Sequence, residues 1–172
     1  MKITMITIFL ALTFASCNEE LNFDDRTNAD KIVGNWLTHD IELSLDVAGV
    51  ALLDYLTGSL GYSTTEANTI QMEIEAYYVA NLTGTLDIMG DGTFASAFSD
   101  IVSGGTWSIA ADDKTVTLLE FSDETVEFTI VIITTESMVV TIGDDFSHDL
   151  DEDPTTPNEI ITANAVVTFD RR

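Results

Sequence analysis

The chain is poor in cations. Six Lys and Arg stand against 30 Asp and Glu, for a formal net charge of -24 over 172 residues. Phosphate backbones need clustered cations, so nucleic acid is excluded as a partner. Electrostatic adhesion to an anionic lipid surface is excluded on the same ground. Cysteine occurs once, which rules out an intramolecular disulfide framework. One Cys and two His also leave little material for a zinc site. Neither G-x-S-x-G nor G-x-G-x-x-G occurs, so a nucleophile elbow and a dinucleotide loop are both missing. What is present is 45 % apolar residues, enough for one packed domain.

The N-terminus reads as an address. Lys2 is followed by an apolar stretch from Ile3 to Ala15, broken only by Thr. That is a secretory pattern and too short for a membrane-crossing helix, which needs about 20 residues. Phe14-Ala15-Ser16-Cys17 resembles the lipobox of bacterial lipoproteins. The resemblance implies a signal peptide over 1–16, cleavage before Cys17 and acylation of Cys17, hence membrane attachment through lipid, with palmitate-type chains. It also explains the lone Cys. Residues 17–30 then form the lipidated Cys and an acidic tether carrying Glu19, Glu20, Asp24, Asp25 and Asp30. Acidic residues directly after such a Cys are similar to the surface-export signals of Bacteroidota lipoproteins, so an outer-membrane, surface-exposed location in the cell envelope is expected.

The remaining chain, 31–172, is expected to be one mainly β domain. Ile32–Ile41 reads as a first strand. Leu43–Ala80 switches to helical spacing, with Leu45, Ala48, Leu52, Leu56 and Leu60 in one stripe and Gly58 and Gly61 ending the first helix. Ser63-Thr64-Thr65-Glu66 has capping-box spacing and starts a second helix, with Ala67, Ile70, Ile74 and Tyr77 on one face. Strands then follow at Thr83–Met89, Thr93–Phe98, Thr106–Ala110, Thr115–Phe121, Thr125–Ile133, Ser137–Ile142 and Glu159–Phe169, with a long acidic loop over Gly143–Asn158. Gly90-Asp91-Gly92 marks a tight hairpin. Eight strands joined by hairpins predict an antiparallel up-and-down β-barrel with a two-helix insert after the first strand. A β-sandwich is the alternative.

Three motifs carry a family likeness: Gly34-Asn35-Trp36 opening the first strand, Asp91-Gly92-Thr93-Phe94 at a hairpin, and Gly105-Thr106-Trp107 opening a later strand. Together they resemble the lipocalin-like domain of bacterial lipoproteins, a calycin-type barrel. The resemblance gives Gly34 and Trp36 a structural role at the barrel end. It implies that a basic residue beyond the last strand covers the Trp. Arg171 and Arg172 are available for this, although a solvated C-terminal end is the default for both. The helix pair also resembles the lid of fatty-acid-binding proteins. Their carboxylate-holding Arg-x-Tyr is missing here, where the chain reads Thr168-Phe169-Asp170-Arg171. Lys114 is the one Lys or Arg between Ile32 and Asp170. An interior carboxylate would go unpaired at a cost of several kcal/mol, so anionic ligands are not expected.

These readings converge on a non-enzymatic lipoprotein that binds a small neutral or apolar molecule. Tyr55, Leu56, Tyr77 and Tyr78 from the lid, with Phe94 and Phe98 from the wall, are the candidate ligand contacts. Core packing is the competing role for the aromatics. The rival function is a filled barrel acting as an interaction module toward an envelope protein or glycan. His39 and His148 have no supporting nucleophile. No cofactor is expected. Asp149, Asp151 and Asp153 alternate as at the start of a calcium loop, but Pro154 stands where that loop requires Gly and Ile160 where it requires Glu, so a solvated, mobile loop is the expectation.

Overall fold

The computed structural model describes residues 25–99, 101–151, 153 and 155–172. The signal peptide, Cys17 and most of the acidic tether lie outside the described residues. Residues 28–30, expected within the tether, instead begin a short helix α1, Asn28–Ile32. The strands are β1 (Gly34–Val47), the two-residue β2 (Val50–Ala51), β3 (Gly84–Ile88), β4 (Thr93–Phe98), β5 (Ile101–Ile109), β6 (Thr115–Glu120), β7 (Thr125–Ile133), β8 (Ser137–His148) and β9 (Glu159–Arg171). Helices α2 (Leu52–Gly58) and α3 (Thr64–Leu82) fall between β2 and β3.

Setting β2 aside, eight strands pair antiparallel in the order β1-β3-β4-β5-β6-β7-β8-β9, and β9 returns to β1. The sheet is closed, so the molecule is an eight-stranded barrel and not a sandwich. Closure rests on a long seam in which Trp36–Val47 runs against Arg171–Ile161, with a bulge between Thr38 and Asp40. The opposite side of β1 meets β3 only from Gly34 to Leu37. Similarly, β7 and β8 pair no further toward the open end than Thr129 with Thr141. Beyond these points β8, β9 and β1 rise together as a three-stranded extension. The barrel therefore has a fully laddered closed end and a split, open end.

The closed end is packed solid. Trp36, Ile88, Phe94, Val116, Phe128, Ile130, Met138, Val140, Val167 and Phe169 belong to one buried cluster. Strict alternation on β9 turns Ile161, Ala163, Ala165, Val167 and Phe169 inward, and the last three supply one wall of this cluster. A second buried cluster holds the helices on the extension: Leu45, Val47, Ile161 and Ala163 from the strands meet Leu52, Leu56, Ala67 and Ile74 from α2 and α3.

Several boundaries differ from expectation for physical reasons. The first strand runs on to Val47, and the helix begins at Leu52 rather than Leu43. Leu43, Leu45 and Val47 satisfy a period of two as well as they start a helical stripe, and an eleven-pair seam with β9 decides for the strand. Ala48, expected on the helical stripe, sits in the following turn at φ 51°. β5 starts at Ile101, five residues early, because Gly104 and Gly105 are strand residues under close approach rather than turn formers. The expected loop over 143–158 begins as strand: β8 continues to His148, each residue laddered onto β9.

The capping box at the start of α3 forms as expected. Ser63 Oγ accepts from the Glu66 amide at 3.3 Å, and the Glu66 carboxylate accepts from the Ser63 amide at 3.0 Å. The Ser63 hydroxyl and then its amide hold the Glu66 carboxyl below its ordinary 4.5, against a smaller opposing effect of burial. A lowered folded value means this contribution is full above pH 4.5 and is lost as pH falls through that lower value. Ser63→Ala is expected to cost about 1 kcal/mol at pH 7. Thermal melts at pH 7 and pH 3 should show a smaller gap between variant and wild type at the lower pH.

Candidate functional site

The two ends of the barrel are built for different tasks. At the closed end, Trp36 is fully buried and its Nε1 donates to the Ile32 carbonyl at 2.8 Å. The Arg171 guanidinium lies over the indole with Cζ 4.6 Å from the ring centroid, and its Nη2 donates to the Lys31 carbonyl at 2.6 Å. Arg171 is thus a built part of the closure, not a solvated tail. Burial, and to a lesser degree the like charge of Arg26, pull its pKa down. A guanidinium stays charged regardless. Gly34 adopts φ +157°, and a side chain there would meet the Arg171 guanidinium at 3.1 Å. The helix α1 is stapled to the β5–β6 turn: Asp113 accepts from the amides of Asn28 and Ala29 at 2.8 and 3.2 Å. This end is a plug.

The open end is a cavity. Beneath α3, between that helix and the diverging strands β7 and β8, lies a space of about 1230 Å³. Its apolar floor comes from Ile70, Ile74, Leu82, Val126, Ile142, Leu150, Ala163 and Ala165. Four rings line it as well: Tyr62, Tyr77, Tyr78 and Phe146. Tyr78 packs on Phe146 with centroids 4.9 Å apart and stands edge-on to Tyr77 at 6.0 Å. The Tyr78 hydroxyl donates to Asp144 at 3.0 Å. Burial first, and that bond second, raise the Tyr78 pKa above its ordinary value, so the phenol remains protonated. The carboxylates of Glu73, Glu124, Glu127, Asp144 and Asp149 also line the space, and no Lys or Arg does so among the described residues. A shallower groove of about 640 Å³ follows the same β7–β8 split and shares Glu127, Ile142 and Ala165 with the cavity.

The candidate contacts are distributed unevenly over this geometry. Tyr77 and Tyr78 line the cavity. Leu56 is fully buried between helices and strands, with Tyr55 packed on the same cluster. Phe94 lies in the closed-end core, and Phe98 packs against that core. Tyr62, which shares the helical insert with Tyr55, Tyr77 and Tyr78 and was expected with them at a mouth, lines the cavity too, while two further lining residues escaped the sequence reading. Tyr62 sits past the first helix, where it donates to the Leu150 carbonyl at 2.8 Å. Phe146 and Leu150 fall in what looks like an acidic loop. The alternation Ile142-x-Asp144-x-Phe146-x-His148 was the available signal, masked by the surrounding acids.

The described residues of that loop are held by hydrogen bonds at several points. Leu150 is 2 % exposed, and its amide donates to Glu159 at 2.9 Å. Asp151 accepts from the Asp153 amide and the Thr156 hydroxyl, and Asp153 accepts from the Thr155 amide and hydroxyl. These carboxylates cap their own turns, while Asp149 faces the cavity. No group of three or more His, Cys, Asp or Glu able to hold a metal ion occurs among the described residues. His39 pairs with Asp170 at 3.0 Å on the exposed face of the seam, and His148 ends β8 at the cavity rim.

No family model matches this chain, and no curated protein does. Among solved structures, the chain is similar to a duf4847 family protein from Bacteroides vulgatus. The identity is 10 %, over 83 % of this chain and 94 % of that one, with a TM-score of 0.38. Function is therefore argued from the cavity.

Proposed function

We propose that the protein is a binding module of the bacterial cell envelope. In this reading it is exported, anchored through lipid on Cys17 to the outer membrane, and holds a small neutral or apolar molecule without chemically changing it. The observation that carries the reading is the cavity of about 1230 Å³ under α3. Ligand sites in proteins typically span about 300–1,000 Å³, so the space is large enough for a whole small molecule. An apolar floor under a polar rim is the usual composition of such sites. The absence of Lys and Arg from the described lining supports exclusion of anions, because a carboxylate taken inside would lack a partner. The solid closed end supports a one-mouthed container over a channel. The lipocalin-like architecture, with Trp36 and Gly34 at the plugged end, is part of the same reading.

Native mass spectrometry of the protein purified from an envelope extract, with released molecules identified, is the test. A stoichiometric co-purifying apolar compound is the expected result. A bare protein mass across independent extracts would overturn the reading and favour recognition of an envelope protein or glycan by the acidic surface.

A further inference from the structure

The cations of this chain are sorted by end. All five described cations lie at the plug: Arg26 and Lys31 in and before α1, Lys114 in the turn stapled to α1, and Arg171 and Arg172 at the end of β9. The cavity at the other end is lined by five carboxylates. Acid alone would specify nothing. Here it borders a row of aromatic rings, Tyr78 touching both Tyr77 and Phe146, beside an apolar space. Ring faces are the negative pole of the aromatic quadrupole, and several rings with nearby carboxylates form the arrangement that holds ammonium groups. Asp144 sits against the Tyr78 hydroxyl, so ring and charge act at one place.

We infer that the cavity binds an apolar molecule bearing an ammonium group, its hydrocarbon body on the floor and its cation at Tyr77, Tyr78 and Asp144. This rests on the binding reading above and replaces neutrality with a positive charge at the mouth. The carboxylates around the cavity would also draw a cation toward it, an effect that salt weakens.

Calorimetric titration of the full-length chain carrying Cys17→Ser, so that no acyl chain competes, separates the two levels. The probes share one tail: octyltrimethylammonium, octan-1-ol and octanoate. The ammonium is expected to bind at least tenfold tighter than the alcohol, with octanoate weakest, and the margin should shrink as salt rises. Asp144→Asn with Glu127→Gln, both at exposed positions, should erase most of the margin between ammonium and alcohol. Tyr77→Leu, also exposed, should cut ammonium binding more than alcohol binding. Equal affinity for ammonium and alcohol would overturn the inference and leave the binding reading standing. No binding of any probe would overturn both, as would tightest binding of octanoate.

Discussion

Trp36→Ala is expected to destabilise the protein by about 4 kcal/mol, within the range for removing a buried large aromatic from a core. For a domain of this size that corresponds to a fall in melting temperature on the order of 10 °C. Three losses combine. The indole fills the closed end at zero exposure, its Nε1 satisfies the Ile32 carbonyl, and its face carries the Arg171 guanidinium. Graded variants separate them. Trp36→Phe keeps an apolar ring and drops the hydrogen bond, for about 1–2 kcal/mol. Arg171→Ala keeps the indole and drops the cation above it, for about 1 kcal/mol once partial exposure is allowed for. Chemical denaturation of the three variants checks the order. A Trp36→Ala protein as stable as wild type would mean that the plug contributes nothing to the fold.

The second large effect is expected at Gly105. A Cβ added there would fall on the Leu119 carbonyl oxygen, with Glu120 Cα also within 2.9 Å. Both are sheet backbone of β6 and cannot swing aside as a side chain would. Gly105→Ala should therefore force β5 and β6 apart and cost about 3 kcal/mol or more. Gly58, at the end of α2, has nothing within 4 Å of an added Cβ. Gly58→Ala should be neutral or slightly stabilising, through reduced freedom of the unfolded chain. Denaturant melts of the pair provide an internal comparison, since both change one hydrogen to one methyl.

That contrast explains part of what the sequence made legible. Gly105 and Gly34 were recognisable as parts of short motifs, although the neighbour of each became visible only in the fold: the Leu119 carbonyl, which forbids a side chain at Gly105, and the Arg171 guanidinium, which crowds one at Gly34. Local signals were read well. The hairpin at Gly90-Asp91-Gly92 and the cap at Ser63 depend on residues a few positions apart, whereas the alternation expected along β7 holds only to Ile130, where a bulge leaves Ile132 exposed and turns Ile133 inward. The cavity was harder. Tyr62, Tyr77 and Tyr78 could be placed on a helical lid, but Phe146 and Leu150 meet them from a distant segment. The extension of β1 to Val47 was hidden because Leu43, Leu45 and Val47 obey both periods, and that of β8 because acids dominate its end. In both cases pairing with β9 decides the structure, and such pairing has no local signature.

The closing seam has a bearing on how the molecule comes into being. Trp36 pairs with Arg171, 135 positions along the chain, and the first long strand finds its main partner only in the last one. Contacts of such separation raise the entropic cost of reaching the folded state and slow it. A nascent chain that ends before residue 159 has no β9. It leaves both β1 and β8 with open edges and the indole uncovered. The barrel is thus completed by β9, and a chain held unfolded until β9 has been made loses nothing by the delay.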